Sequence, residues 1–243
     1  PVWTAQIAGF IRGKGYSVRI IDADAEGWGP DETAEAIIEM NPVLVGVGAV
    51  GANPSASSTP KMEAVQKVVN LLKQISDVKT FLYGIHPSAC LEESLDAVSA
   101  DYICRGECFL TAERLLDGLK NGLPIEDIQG LWYRSREGVT GNGWPELVSD
   151  LDELPFAAWD LLPMAKYRAH NWHCFGHLRD RGSYAVIYTS LGCPYNCSYC
   201  NIRALYNGRP GIRFRSPESV VSEIDLLVSE YGVKNIKILD ELF

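Results

Sequence analysis

Three cysteines stand close together in the last quarter of the chain, at positions Cys193, Cys197 and Cys200. Their spacing is C-x3-C-x2-C, and they follow an apolar stretch, Tyr184–Thr189, whose composition predicts a buried strand. Three thiolates on one tight loop can each bind one iron of a four-iron cluster, so that the fourth iron stays open to an outside ligand. An open position is typical of a catalytic metal centre rather than a structural one.

The same thiols have a second interpretation, a zinc site. Zinc sites usually combine a C-x2-C pair with a second pair of ligands elsewhere in the chain. A possible completing set lies just upstream, at His170, His173, Cys174 and His177. The competing function from a different class is therefore a zinc-stabilised, non-enzymatic binding module. It predicts a colourless protein with bound zinc, whereas an iron–sulfur cluster predicts a brown protein with about four irons per chain.

Composition excludes several other classes of function. The 243 residues are 47% hydrophobic and 22% charged, which is ordinary for a globular protein. The net charge of −9 leaves no basic field for nucleic acid, and no apolar run approaches the roughly 20 residues of a membrane span. Seven cysteines at uneven spacing argue against a secreted disulfide framework and favour a reducing cytoplasm.

Apolar runs and amphipathic segments alternate along residues 1–133. Helices are predicted between strands at Ser17–Asp22, Val43–Gly48, Lys79–Gly84, Tyr102–Arg105 and, as an edge strand, Ile128–Tyr133. This alternation predicts an open α/β sheet with parallel strands. Such a sheet normally begins with a central strand, which is missing here. We therefore expect a fragment that is inactive on its own.

A second β-α-β unit is predicted after a connector rich in glycine and proline. Its strands are Tyr184–Thr189 and Val233–Asp240, and its helix is Pro217–Tyr231, followed by a glycine suited to a helix C-cap. The expected domain limits are 1–134 for the sheet domain, 135–182 for the linker and 183–243 for the second unit.

The cysteine motif and its flanks resemble the radical S-adenosylmethionine (SAM) enzymes. The resemblance extends to Thr189–Gly192 before the motif, Arg213–Pro217 after it, and Asp240–Phe243 at the next strand end. In that family the open iron binds SAM, and one electron cleaves SAM to a 5′-deoxyadenosyl radical that abstracts hydrogen from the substrate. The resemblance implies the start of a partial TIM barrel. It implies iron ligation by the three motif cysteines, Tyr199 near the SAM adenine, and Asp240 and Glu241 at the SAM amino group.

Residues 1–133 resemble the N-terminal cobalamin-binding domain of a large branch of that family. Gly84–Ala89 looks like its GG-x-H-P segment and Asp101–Glu107 like its D-Y-x-x-x-G-E segment, with Ile85 and Cys108 as departures. The implied fold is a Rossmann-like (flavodoxin-like) open parallel sheet, which binds ligands at the carboxyl ends of its strands. The implied cobalamin contacts are Ser57, Ser58, Gly84, His86, Gly106 and Glu107. Cobalt ligation by His86 is not supported, because the D-x-H-x-x-G motif is absent.

The resemblance implies an enzyme, most often a methyltransferase acting on an unactivated centre of a small molecule. The alternatives are an oxidative cyclase of the magnesium-protoporphyrin ester type and a radical SAM enzyme without bound cobalamin. A reductant such as flavodoxin or ferredoxin is the implied protein partner, and neither nucleic acid nor membrane is expected. Four arginines follow the motif: Arg203, Arg209, Arg213 and Arg215. They could bind an anionic group, such as the SAM carboxylate or an anionic substrate, or they could form a solvated basic face.

Overall fold

The computed structural model describes residues 1–49, 61–169, 181–209 and 211–242. Two of the expected cobalamin contacts, Ser57 and Ser58, lie outside these residues, as do the four upstream zinc candidates between 170 and 177. The chain divides into two compact units. The barrel unit comprises Pro1–Gly27, Ser149–Leu191 and Ile212–Phe243, and the sheet unit comprises Trp28–Val148 and Gly192–Gly211.

Helices and strands alternate through most of the described chain. The helices are α1 (Val2–Gly13), α2 (Ala23–Glu26), α3 (Pro30–Glu39), α4 (Met62–Ile75), α5 (Ile85–Ala89), α6 (Leu91–Ala97), α7 (Phe109–Asn121) and α8 (Pro217–Tyr231). The strands are β1 (Leu44–Gly48), β2 (Lys79–Tyr83), β3 (Tyr102–Cys104), β4 (Leu131–Ser135), β5 (Gly138–Gly141), β6 (Tyr184–Ile187), β7 (Ser190–Cys193), β8 (Gly211–Phe214) and β9 (Asn235–Ile238). Within the described ranges no helix has the length and apolar character needed to cross a membrane.

The sheet unit is built on five strands in the order β1-β2-β3-β4-β5. The first three strands are parallel, as the alternating pattern predicted, and helices lie in the segments that connect them. One apolar core joins the sheet to its helices, because Val65 and Val69 lie one turn apart on α4 and pack with Leu82 of β2, Ile103 of β3 and Leu95 of α6. The predicted α/β fold class is confirmed.

The carboxyl half of the sheet differs from the prediction. β4 begins at Leu131 rather than Ile128, runs antiparallel to β3, and is covered on its other side by β5. It is therefore not an edge strand. Antiparallel strands can be joined by a short hairpin, here the turn after Ser135, and the glycine-rich stretch Gly138–Gly141 gave no strand signal in the sequence.

The predicted strand at Ser17–Asp22 is wrong. Residues 16–22 have no regular secondary structure and no partner strand among the described residues. Ile20 instead packs against the apolar core of the barrel unit, and the Asp22 carboxylate accepts a hydrogen bond from the backbone N–H of Ala25 at the start of α2. The β-branched run reflects partial burial rather than strand pairing.

The barrel unit contains the predicted β-α-β arrangement. β6 pairs in parallel with β9, and α8 connects them with the bounds that the sequence predicted. The Ser216 hydroxyl accepts a hydrogen bond from the backbone N–H of Ser219, Pro217 occupies the first helical position, and Gly232 ends the helix in the left-handed conformation. The strands β7 and β8 form a separate two-stranded sheet.

Helix α1 packs tightly on the connector within the barrel unit. The backbone N–H of Ala158 donates to the carbonyl oxygen of Ala5 at 2.9 Å. A methyl group added at Gly9 would lie 2.6 Å from the carbonyl oxygen of Phe156, so only glycine permits this approach. The contact fixes the path of residues 156–158 along the helix.

Candidate cofactor site

The three motif cysteines lie on a loop that β7 opens. Cys193 is the last residue of β7 and is half-buried like Cys200, whereas Cys197 is exposed. Gly192 has φ 99°, a conformation that favours glycine and that turns the chain into the loop. All three side chains are free thiols. In a reducing compartment, three free thiols within eight residues are a donor set that suits iron.

The thiols are not gathered into a finished metal site. In the parts of the chain that the structure describes, no three His, Cys, Asp or Glu side chains are placed to hold one metal ion. The donor set therefore fits a cluster in its chemistry and its exposure, and Cys193, Cys197 and Cys200 would hold it. The ring of Tyr199 on this loop is 90% exposed, so its face is open to a planar ligand.

The segment after Cys200 packs against the carboxyl edge of the sheet. A short 3-10 helix, Asn201–Ala204, contacts α5, the helix that carries His86. The carbonyl oxygen of Leu205 lies so close to Gly106 that a Cβ atom there would be only 2.9 Å away. The structure thus brings together three stretches that the sequence singled out separately: the segment after β2, the loop after β3, and the chain that leaves the cysteine motif.

Glycines shape the two strand ends at this edge. Gly84 has φ 114° and Gly106 has φ 77°, so both adopt conformations that other residues rarely tolerate. The backbone N–H of Gly106 donates to the buried Ser88 hydroxyl at 2.9 Å, which ties the loop after β3 to α5. The carboxylate-bearing Glu107 is buried. His86 lies within α5 rather than in an open loop, because residues 85–89 form a short helix that the sequence pattern did not indicate.

Arg105 is a residue of this edge that sequence reasoning missed. Its guanidinium carbon lies 3.3 Å from the centroid of the Trp144 ring and 5.9 Å from that of Trp132. Its Nε atom is buried and has no hydrogen-bond partner within the described ranges. An unpaired buried donor next to Gly106, at the carboxyl end of a parallel strand, fits the binding of a polar cofactor such as cobalamin. The sequence carried no signal for this stacking, because Trp144 lies far along the chain.

The barrel unit holds the two carboxylates expected at the SAM amino group. Both oxygens of Asp240 already accept hydrogen bonds: one from the backbone N–H of Thr189 at 2.7 Å, the other from the hydroxyls of Thr189 and Ser190. Glu241 is exposed. Partial desolvation, and then the charge of Asp240, raises the pKa of Glu241 to about 7. The two neighbours therefore differ in availability, since Asp240 is engaged and Glu241 is open.

Arg215 is not a free cation. It forms an ion pair with Glu223, whose side chain is 2% exposed, and donates to the carbonyl oxygen of Tyr188 at 3.0 Å. Glu223 also accepts hydrogen bonds from the indole Nε1 of Trp159 at 2.9 Å and from the backbone N–H of Ala157. A fully paired guanidinium offers no donor to a ligand. Arg215 therefore fits neither alternative, an anion ligand or a solvated basic face, and it links α8 to the end of β6 and the connector.

Comparison with known proteins finds a match to one domain family and similarity to several longer proteins. The B12 binding domain family matches residues 1–116. The chain is 31% identical over 245 residues to Uncharacterized methyltransferase PH0819 of Pyrococcus horikoshii, covering all of this chain and 49% of that protein. It is 26% identical to the anaerobic magnesium-protoporphyrin IX monomethyl ester cyclase of Rubrivivax gelatinosus, covering 99% of this chain and 41% of that protein.

The fold matches a solved structure. The radical SAM methyltransferase TsrM from Kitasatospora setae, with cobalamin and a [4Fe-4S] cluster bound, superimposes with a TM-score of 0.73 at 18% identity, over 99% of this chain and 45% of that one. The chain spans less than half the length of each of these proteins. Residues 1–116 thus match the B12 binding domain family, and the whole chain has the fold of a radical SAM methyltransferase that was solved with cobalamin bound.

Proposed function

We propose that the whole protein is a cobalamin-dependent radical SAM methyltransferase, with a [4Fe–4S] cluster held by Cys193, Cys197 and Cys200. One observation carries the proposal: three free thiols on one loop belong to the same compact unit as the glycine-shaped edge of the B12 binding domain. We further propose domain limits of 1–134, 135–182 and 183–243. A small-molecule substrate, a flavodoxin-like or ferredoxin-like reductant and a cytoplasmic location belong to the same proposal.

Residues of this chain would hold and orient the cofactors. When bound, the cluster supplies the electron that cleaves SAM, and cobalamin carries the methyl group. Glu241 accepts a hydrogen bond from the SAM amine, because its carboxylate is open, and the exposed Tyr199 ring packs on the adenine. Asp240 positions Thr189 and Ser190, the residues that lead through β7 to the first cysteine.

Cobalamin contacts are proposed at the edge of the sheet and at two serines that follow β1 in the sequence. The candidates are Ser57, Ser58, Gly84, His86, Gly106 and Glu107. The left-handed glycines permit close approach of a ligand to the backbone at the carboxyl ends of parallel strands. No imidazole ligand to cobalt is part of the proposal.

The test uses the full-length protein, reconstituted without oxygen with iron and sulfide. We expect about four irons per chain and, with a reductant, conversion of SAM to 5′-deoxyadenosine. Cys197→Ala removes one thiolate, so iron content and cleavage should both be lost. Cys90→Ala is the matched control, because Cys90 is a half-buried free thiol of the same unit outside the motif. A Cys197→Ala protein that keeps its iron and its cleavage would refute the assignment, and bound zinc without iron would favour the binding module.

The second candidate function is an oxidative cyclase, which is favoured by the likeness to the magnesium-protoporphyrin ester cyclase. The two reactions leave different remnants of SAM. Methyl transfer from SAM leaves S-adenosylhomocysteine, whereas reductive cleavage leaves methionine and 5′-deoxyadenosine. Formation of both S-adenosylhomocysteine and 5′-deoxyadenosine supports the methyltransferase, and 5′-deoxyadenosine alone with cobalamin bound supports the cyclase.

A further inference from the structure

Arg105 is held in place at the carboxyl end of β3. Its backbone N–H donates to the carbonyl oxygen of Gly130 at 2.9 Å, and its guanidinium carbon lies over the Trp144 ring, 3.3 Å from the ring centroid. Stacking on an aromatic face leaves the in-plane N–H donors of a guanidinium free to bind a ligand. The side chain is therefore held in one direction, while its N–H donors have no partner among the described residues.

Arg105 lacks the carboxylate partner that neighbouring arginines have. In the same unit Arg114 pairs with Glu146 and Arg134 pairs with Asp96, whereas no acidic side chain of the described residues pairs with Arg105. Its Nε is buried without a hydrogen-bond partner in the part of the chain that the structure describes, and burial lowers the pKa of the guanidinium. A desolvated cation without a partner is unfavourable for the free protein, and an anionic ligand would offset that penalty.

We propose that Arg105 binds the phosphodiester of the cobalamin nucleotide tail, with Trp144 holding the guanidinium in the plane that the phosphate requires. The inference rests on the proposed function, since it needs cobalamin at this edge. The peripheral groups of cobalamin are neutral amides except for this phosphate. A guanidinium matches a phosphate with two parallel hydrogen bonds, and the carboxyl edge of a parallel sheet is where ligands bind.

The test compares three corrinoids on the full-length protein by absorbance titration. Cobinamide lacks the nucleotide tail, cobinamide phosphate adds the phosphate alone, and cobalamin carries the whole tail. The wild-type protein should bind cobinamide phosphate about tenfold to a hundredfold more tightly than cobinamide, as expected for a charged hydrogen bond. Arg105→Gln should abolish this preference and leave the affinity for cobinamide unchanged.

Two further variants make the test specific. Arg105→Lys keeps the positive charge and loses the planar guanidinium, so the preference for cobinamide phosphate over cobinamide should become smaller without disappearing. Arg136→Gln is the matched control, because Arg136 is an exposed arginine of the same unit in the turn between β4 and β5. The Arg136→Gln protein should show the wild-type preference for cobinamide phosphate.

Three results would overturn the inference. In the first, Arg105→Gln keeps the wild-type preference, so the phosphate binds elsewhere. In the second, Arg105→Gln weakens all three corrinoids equally, so the residue acts on the structure of the edge. In the third, the wild-type protein binds none of them. Only this last result also defeats the proposed cobalamin function, so the two failures are distinguishable.

Discussion

The carboxylate of Asp240 accepts a hydrogen bond from the backbone N–H of Thr189 at 2.7 Å, although 51 residues separate them. Its other oxygen accepts hydrogen bonds from the hydroxyls of Thr189 and Ser190. The end of β9 is thereby joined to the residues that follow β6. Because the Asp240 carboxylate accepts three hydrogen bonds, it fixes the position of residues 189–190. The carboxylate of the next residue, Glu241, is exposed and can bind a ligand.

Substitutions at the two positions should therefore have different effects. Asp240→Asn replaces an acceptor oxygen by a donor, so we expect it to lower the iron content of the reconstituted full-length protein. Glu241→Gln should leave the iron content unchanged and weaken SAM binding about tenfold, the usual scale for one hydrogen bond to a charged group. Iron analysis and the change that SAM produces in the electron paramagnetic resonance spectrum measure the two effects. Equal loss of iron in both variants would contradict the division of roles.

The pKa of Glu241 predicts a pH dependence of SAM binding. Partial desolvation, with the negative charge of Asp240, raises this pKa to about 7, and the nearby phenol of Tyr188 is neutral in this range. The ionised fraction then rises from about a tenth at pH 6 to about nine tenths at pH 8. SAM affinity should rise up to about tenfold over that interval, because the ionised carboxylate is the stronger acceptor. Glu241→Gln should flatten the profile, and an unchanged slope in that variant would assign the titration to another group.

The same group has the opposite effect on folding. The folded chain binds the Glu241 proton more tightly than the unfolded chain does, so the stability that this group contributes is present at low pH and is lost as the pH rises through about 7. Urea unfolding at pH 6 and pH 8 should therefore show a larger pH dependence in the wild type than in Glu241→Gln. A wild type whose pH dependence matches that of the variant would contradict the raised pKa.

Among the left-handed glycines of the sheet unit, Gly106 is predicted to be more sensitive to substitution by alanine than Gly122. Gly106→Ala would place a methyl group 2.8 Å from the Pro145 ring and 2.9 Å from the Leu205 carbonyl oxygen, whereas nothing lies within 4 Å of the corresponding position at Gly122. Backbone strain alone costs about 1 kcal/mol in each variant, and overpacking adds about 1–3 kcal/mol at position 106 only. Urea unfolding measures the difference, and corrinoid affinity should fall only in Gly106→Ala. Equal destabilisation would show that position 106 accommodates a side chain.

Helix α1 offers a second matched pair of glycines, in the barrel unit. Gly9→Ala would place a methyl group 2.6 Å from the Phe156 carbonyl oxygen, whereas Gly13→Ala meets nothing within 4 Å. Alanine gains about 1 kcal/mol of helix propensity in a helix interior, but overpacking against a backbone atom costs about 1–3 kcal/mol. Gly9→Ala should therefore lower the free energy of unfolding, and Gly13→Ala should leave it unchanged or raise it. A stabilised Gly9→Ala protein would show that the connector can move away from α1.

The sequence predicted those elements whose signals are local. The bounds of α8 follow from Ser216, Pro217 and Gly232, each of which acts within one turn of the helix. The parallel strands β1 to β3 likewise follow from apolar runs between amphipathic helices. The cysteine motif was recognised from the sequence alone, because its three cysteines lie within eight residues and their spacing predicts a metal site.

Features that depend on distant partners were not predictable. Ser17–Asp22 has the composition of a strand and lacks a neighbouring strand among the described residues, whereas β5 has a neighbour and lacks the composition. The engagement of Asp240 and the stacking of Arg105 on Trp144 join residues that are far apart in the chain. Sequence spacing cannot indicate that the Asp240 carboxylate accepts hydrogen bonds within the protein, or that the Arg105 guanidinium has a donor without a partner among the described residues.

The contact between Gly106 and Leu205 has a consequence for how the two cofactors would load. Leu205, in the chain that leaves the cysteine motif, rests on the loop after β3, so a shift of this chain on iron binding would be transmitted to that loop. Occupancy at one place then alters the affinity at the other, and linkage makes the factor identical in both directions. Corrinoid affinity measured with and without iron, and iron affinity measured with and without corrinoid, should therefore differ by the same ratio.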